Sequence, residues 1–206
     1  MSEVLGLRER KKLRTRQALI AAALELFMEK GYEQTTVSEI AAAADVSTRT
    51  FFSYFASKED VIFYNTRDGI DRVLRVVAEP GQGDRAIDLL TRAVTSVFSE
   101  LVVDGQLQRE IGPVNYLVMT VPSLRARSLL LLFEGQRELA EALHRACPQE
   151  LSLVEASAAV GAVIGGGKLA AFVSMSNGAS PEEMLDAGRQ ATEFALSALR
   201  AASRMS

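Results

Sequence analysis

Tryptophan is absent from this chain of 206 residues, cysteine and histidine occur once each, and there are only five prolines. A single cysteine, Cys147, cannot close an internal disulfide, which excludes a disulfide-stapled scaffold. The single histidine, His144, has no cysteine or histidine at metal-ligand spacing and reads as a solvated helix end, so no metal site is expected. One histidine and no nucleophile elbow leave no triad to build, so neither an enzyme nor a bound cofactor is expected. Scarce proline, abundant Ala and Leu and a hydrophobic share of 48% predict an all-α fold with enough apolar surface for a substantial core. The N-terminal residues contain no apolar run of the signal-peptide kind, from which a cytoplasmic protein is expected. The one long apolar stretch, around Leu151 to Met175, is interrupted by Glu155, three consecutive glycines and Lys168, and it reads as a buried helix rather than a membrane span. Its "GGGK" at 165–168 does not make a phosphate loop: Ala162 stands where the first Gly belongs, and Leu169 follows Lys168 where Ser or Thr should bind magnesium.

A formal net charge of −3 gives no general reason to expect nucleic acid, but the average conceals a local excess. Arg8, Arg10, Lys11, Lys12, Arg14 and Arg16 face only Glu9 within nine residues. Residues 61–206 carry 14 basic and 17 acidic residues, so the acidity lies in the C-terminal part.

Helical spacing of Ile20, Leu24 and Phe27 predicts a first helix from Arg8 to Lys30, stopped by Gly31. Thr36, three before Glu39, forms a capping box that starts a short helix ending near Ala44. Only Asp45, Val46 and Ser47 separate it from the next, so one residue there needs positive φ, and Asp45 is the candidate. Ser47 then caps a third helix, Thr48 to Phe55, whose Phe51 and Phe55 share an inward face while Thr48, Arg49, Phe52 and Ser53 lie toward the other. A fourth helix is expected from Ser57 to about Ala78, before the break "EPGQGD". Asp84 is expected to cap a fifth, with Ile87, Leu90, Val94, Val97, Phe98 and Leu101 as its stripe and Gly105 as its stop. A kink or late start is expected at Gly112-Pro113, then a long helix closed by Pro148, one from Leu151 to about Ser176, and a last one capped by Ser180 with Pro181 at its first position.

Two short helices in tight succession behind a longer one with a basic end make a helix-turn-helix. Thr48 and Arg49 stand where such a helix meets base edges, and Arg can take guanine O6 and N7 with two bonds. Thr36, Tyr54 and Lys58 suit phosphates, Arg14 belongs to the basic end, and Phe52 is placed between core and DNA. Two stripes of small residues, Ser157, Gly161 and Gly165 beside Ala158, Ala162 and Gly166, allow close helix approach and are the expected dimer interface.

The stretches "ALELFMEKGYEQTTVSEIAAAADVS" and "TFFSYFASKEDVI" resemble the DNA-binding domain of the TetR family of one-component regulators, over about the first 60 residues. The resemblance implies DNA contacts at Thr36, Ser47, Thr48, Arg49, Tyr54 and Lys58. It departs at Asp45, where the family usually has Gly, and at Phe52, where it often has a tyrosine. It also implies a helix-turn-helix domain at 1–60, and an effector-binding and dimerisation domain at 61–206 whose last two long helices pair with their copies. The expected protein is a homodimeric repressor on a palindromic operator, released by a small hydrophobic or aromatic effector among Arg67, Phe98, Tyr116, Met119, Phe133, Arg137, Phe172 and Met175. The alternative is a non-specific architectural DNA-binding protein.

Overall fold

A computed structural model describes residues 6–103 and 105–202, with side chains outside 99–109. Helix α1, Leu7–Lys30, buries Leu19, Ile20, Ala23, Leu24 and Phe27 along one face. It ends where Gly31 turns to φ 90°, a left-handed conformation that favours glycine. Helix α2, Val37–Ala43, starts on the Thr36–Glu39 capping box, and Asp45 does take the positive φ, 53°.

Helix α3, Thr48–Phe52, is shorter than the sequence suggests, ending three residues before Phe55. Ser53 ends it by directing its hydroxyl to the Thr50 carbonyl at 2.6 Å while its amide is shared between Arg49 and Thr50. Phe51 and Phe55 are buried as expected, their centroids 5.7 Å apart, and Phe55 meets Tyr64 edge-on.

Helix α4 is Lys58–Ala78, with the Ser57 hydroxyl accepting from the Asp60 amide at 3.2 Å. Helices α5, Ala86–Val103, and α6, Gly105–Thr120, replace the expected stop at Gly105, which is the first residue of α6. Pro113 lies inside α6, so there is no late start. Asp84 does not cap α5. Its carboxylate closes the preceding loop by accepting from the Gly81 amide at 2.7 Å and pairing with Arg92 at 2.8 Å, while the Ala86 amide is met by Glu150. The side chain of Leu101 lies outside the described ones.

Helix α7 is Pro122–Ala146. His144 at its end is not merely solvated, because Nδ1 donates to the Leu151 carbonyl at 2.8 Å and ties α7 to the start of the next segment. Beside it, burial pushes the Cys147 thiol pKa up.

The expected single helix from Leu151 starts later, on a Ser152–Glu155 capping box, and has an internal defect. Helix α8, Leu153–Val160, passes through a π-helical turn, Gly161–Gly165, into α9, Gly166–Ser176. By length and composition this continuous stretch could cross a membrane, yet it is not the buried helix the sequence suggests. Val154 is 79% exposed, Leu169 62% and Val173 49%, because no element among the described residues covers that face. Helix α10, Pro181–Ala202, begins at Ser180 as expected.

The described chain clusters into two compact units. The first comprises residues up to Thr66 together with Arg109–Ser128, and the second comprises Arg67–Gln108 and Leu129–Ser206. The second unit's core joins Val77, Leu89, Leu90, Leu139, Leu143, Val160 and Val163. Within it α9 and α10 touch backbone to backbone. A Cβ at Gly167 would meet Thr192 Oγ1 and stand 3.1 Å from the Gly188 carbonyl oxygen. Gly167→Ala is therefore expected to destabilise the protein by about 1–3 kcal/mol, the usual cost of overpacking. Urea unfolding should show a lower midpoint at unchanged slope. A midpoint at or above that of the parent would mean the crossing has room to spare.

Candidate nucleic-acid interface

The residues predicted to face DNA lie on the first unit, and most of them are exposed. At the start of α2, Thr36 donates its hydroxyl to Glu39 Oε2 at 2.7 Å and receives the Glu39 amide at 3.3 Å, so its proton is already committed within the protein. The Lys30 ammonium, followed by the Thr36 hydroxyl and amide, holds the Glu39 carboxyl down at about 2, which keeps the box ionised at any physiological pH.

Ser47 is committed as well. Its Oγ accepts the Thr50 amide at 3.0 Å and lies 2.8 Å from the Thr50 hydroxyl, which fixes the first turn of α3. That leaves Thr48 and Arg49 as the exposed side chains at the amino end of α3, and among the described residues neither has a hydrogen-bond or ion-pair partner. Phe52 is 56% exposed on the same outer side, resting edge-to-face on Phe51 at 5.5 Å. The arrangement is a short, capped helix pinned from behind by buried rings, with a hydroxyl, a guanidinium and an aromatic face turned outward. Such a surface can form bidentate and van der Waals contacts in a major groove.

Three cations show how charge is divided between structure and surface. Arg14 is exposed on α1. Arg16 is not a surface charge: its guanidinium lies 4.7 Å from the Tyr64 ring centre and 5.9 Å from that of Tyr54, and Nη1 donates to the Tyr64 hydroxyl at 2.8 Å. It thereby links α1 to α4 and to the end of α3, a role that net charge does not reveal. Lys58 also works inward. Its Nζ donates to the Tyr32 and Thr35 carbonyls at 2.8 and 3.2 Å and sits 4.2 Å over the Tyr32 ring, joining the start of α4 to the turn between α1 and α2. Proximity of Lys58 to that turn had no signal in the sequence, since the partners are backbone oxygens 23 and 26 residues away.

The eight effector candidates are distributed differently. Tyr116 and Met119 fall in the first unit and the other six in the second. Phe133 is 70% exposed, and Arg137 is held by Glu141 at 2.6 Å on its own helix. One cleft on the described surface runs along α9 and α10, lined by Ala162, Gly166, Ala191, Phe194 and Ala198, another lies between α1 and the end of α3, and none of the eight candidates lines either. Of the expected dimer residues, Ser157, Ala158 and Ala162 are exposed, and a Cβ at Gly161, Gly165 or Gly166 would meet nothing within 4 Å. The close contact of small residues inside the chain is Gly167 on Gly188, a pair the stripes did not include.

Residues 19–64 match the family model of bacterial regulatory proteins, tetR family. The HTH-type transcriptional regulator TcmR of Streptomyces glaucescens is 37% identical over 139 residues, 66% of this chain and 61% of that one. The HTH-type transcriptional regulator HbdR of Aromatoleum sp. (strain CIB) is 32% identical over 136 residues, 64% and 57% of the two chains. The chain thus spans about six-tenths of the length of these relatives, which are regulators rather than enzymes. SmeT, the repressor of the Stenotrophomonas maltophilia multidrug efflux pump SmeDEF, shares the all-helical fold with a TM-score of 0.59 at 19% identity, over 90% of this chain and 91% of that one. Residues 19–64 thus form a helix-turn-helix domain of the tetR family, and the chain is similar to transcriptional regulators.

Proposed function

We propose that this regulator is a homodimeric repressor that reads a palindromic operator through Thr48 and Arg49 and is released by a small effector. The observation that carries the reading is the amino end of α3, where Ser47 and Thr50 satisfy each other and leave Arg49 exposed without a partner among the described residues. A guanidinium kept out of intramolecular pairs on a pinned helix is poised for a base edge. Arg14 and Tyr54 take backbone phosphates, and Phe52 packs on the duplex where a tyrosine would otherwise donate. Lys58, already bound to two carbonyls, holds the frame and presents its remaining donor.

The homodimer is supported by the uncovered apolar face of α8, α9 and α10, with Val154, Leu169, Phe172 and Phe194 exposed beside Ser157, Ala158, Gly161, Ala162, Gly165 and Gly166. A two-fold pair of recognition helices then requires two half-sites. Residues 1–60 form the DNA-binding domain and 61–206 the effector and dimer domain of a cytoplasmic protein. The effector is hydrophobic or aromatic, in keeping with Phe98, Phe133 and Met175 of the second unit, and Arg67 or Arg137 of the same unit takes an anionic group if it carries one. Operator affinity falls only as far as that ligand prefers the arrangement that cannot bind DNA.

Selection from random duplexes with the purified protein at about 0.15 M salt tests the reading, since affinity without stated salt has no meaning. Enrichment of an inverted repeat is expected. Binding without enrichment, vanishing as salt rises, would favour the architectural alternative.

A further inference from the structure

The three side chains that α3 turns outward differ in chemistry. Thr48 and Phe52 stand four residues apart and so share one strip of the helix, about 6 Å along its axis, with Arg49 beside it. The neighbouring hydroxyls are taken, since Ser47 and Thr50 bond each other and Ser53 donates to the Thr50 carbonyl at 2.6 Å. The Thr48 hydroxyl has no partner among the described residues. Phe52 is the anomaly on this surface. Its ring is 56% exposed, yet it is held, standing at 88° to the fully buried ring of Phe51 with centroids 5.5 Å apart. A phenyl ring has no hydroxyl for a phosphate, and apolar area left in water does not stabilise a fold. Against DNA it has a partner: in the major groove the base edges offer one apolar group, the C5 methyl of thymine.

We propose that Thr48 and Phe52 form a slot for thymine methyl groups, so that each half-site carries one thymine, or two in succession, beside the guanine read by Arg49. The inference rests on the regulator reading and deepens it by naming the base that Phe52 selects. Side chains four apart on a helix have Cβ atoms about 5–6 Å from each other, so the Thr48 methyl and the Phe52 ring can both touch one methyl group. The strip they share spans less than two base steps of about 3.4 Å, which puts a third thymine out of reach. Cytosine, which lacks the methyl, leaves the slot unfilled. The Thr48 hydroxyl is free to donate to the O4 of the same thymine, an acceptor that cytosine replaces with a donor.

The test uses the full chain and the duplex enriched by selection, with deoxyuridine replacing thymidine one position at a time, which removes a methyl and leaves the base pair unchanged. At one or two positions of a half-site, uracil should weaken the parent about fourfold each, the effect of losing one methyl-sized group from an apolar contact. At the same positions 5-methylcytosine should bind more tightly than cytosine. Phe52→Ala removes an exposed ring and should bind thymine and uracil nearly alike there, whereas Thr48→Ser, which deletes a methyl and keeps the hydroxyl, should lose part of the discrimination. Neither variant should alter the salt dependence, because neither removes a charge. If a sequence is enriched yet uracil binds like thymine at every position, the proposal is overturned while the regulator stands, and a uniform loss in Phe52→Ala would place the ring against the sugar–phosphate backbone. If no sequence is enriched, random duplexes made with thymine or with uracil decide. A preference for thymine that vanishes in Phe52→Ala keeps the slot although the repressor reading fails, and equal binding overturns both.

Discussion

Phe51→Ala should destabilise the protein by about 3–5 kcal/mol, the range for deleting a buried ring, and abolish operator binding at temperatures where the parent is folded. Phe51 is fully buried, packs at 5.7 Å against Phe55 and supports Phe52 edge-on, so all that lies behind α3 converges on it. A helix of five residues has no stability of its own, since nucleation alone is unfavourable and only tertiary packing can offset it. Its own cap, Ser47 on Thr50, contributes about 1 kcal/mol, well short of what the ring provides. With total stability of about 5–15 kcal/mol for a domain, losing the ring removes a large share. Urea unfolding by circular dichroism gives the equilibrium cost, and Phe52→Ala, which alters an exposed ring on the same helix, is the control expected to change stability little. Similar midpoints for the two variants would sink the idea that Phe51 anchors the reading helix.

The contrast between these neighbouring phenylalanines was legible in the sequence, and so was most of the helix-turn-helix. Its signals are local: Thr36 and Glu39 three apart, Asp45 in a link too short for negative φ throughout, Ser47 ahead of Thr50, Phe51 and Phe55 on one face. Each is a relation within about four residues, where backbone geometry dictates which side chains can meet. What stayed hidden depends on distant partners. Lys58 bonds carbonyls in the turn after α1, Arg16 reaches Tyr64 across 48 residues, and Ala86 is met by Glu150 rather than by Asp84. Charge patterning marks such residues as ionic but gives no way to choose between a surface role and a structural one.

The C-terminal helices show the same limit in packing. Small residues at four-residue spacing reveal that some close approach is possible, yet not which stripe makes it inside the chain. The π turn at Gly161–Gly165 inserts a residue's worth of rotation between α8 and α9, so a periodicity drawn through both helices loses its phase there. Gly167, next in the glycine run, is the one that meets Gly188 and Thr192.

Arg49→Ala should cost about 1–3 kcal/mol of operator affinity per half-site and relax the preference at a single base position in each. The magnitude follows from a bidentate pair made only when the right base is present, because Arg49 has no intramolecular partner among the described residues to return to when it is absent. Folding should be unaffected, since the side chain is exposed and α3 is held by Phe51 and capped by Ser47. Arg49→Lys sharpens the test. It keeps the positive charge, and with it the salt dependence, but cannot match two acceptors on one base edge, so specificity should fall nearly as far as in the Ala variant. Competition binding with the enriched duplex, its single-base variants and random duplex separates the two contributions. Equal losses on operator and random DNA would make Arg49 a phosphate ligand, and base reading would then have to rest on Thr48 and the exposed face of Phe52.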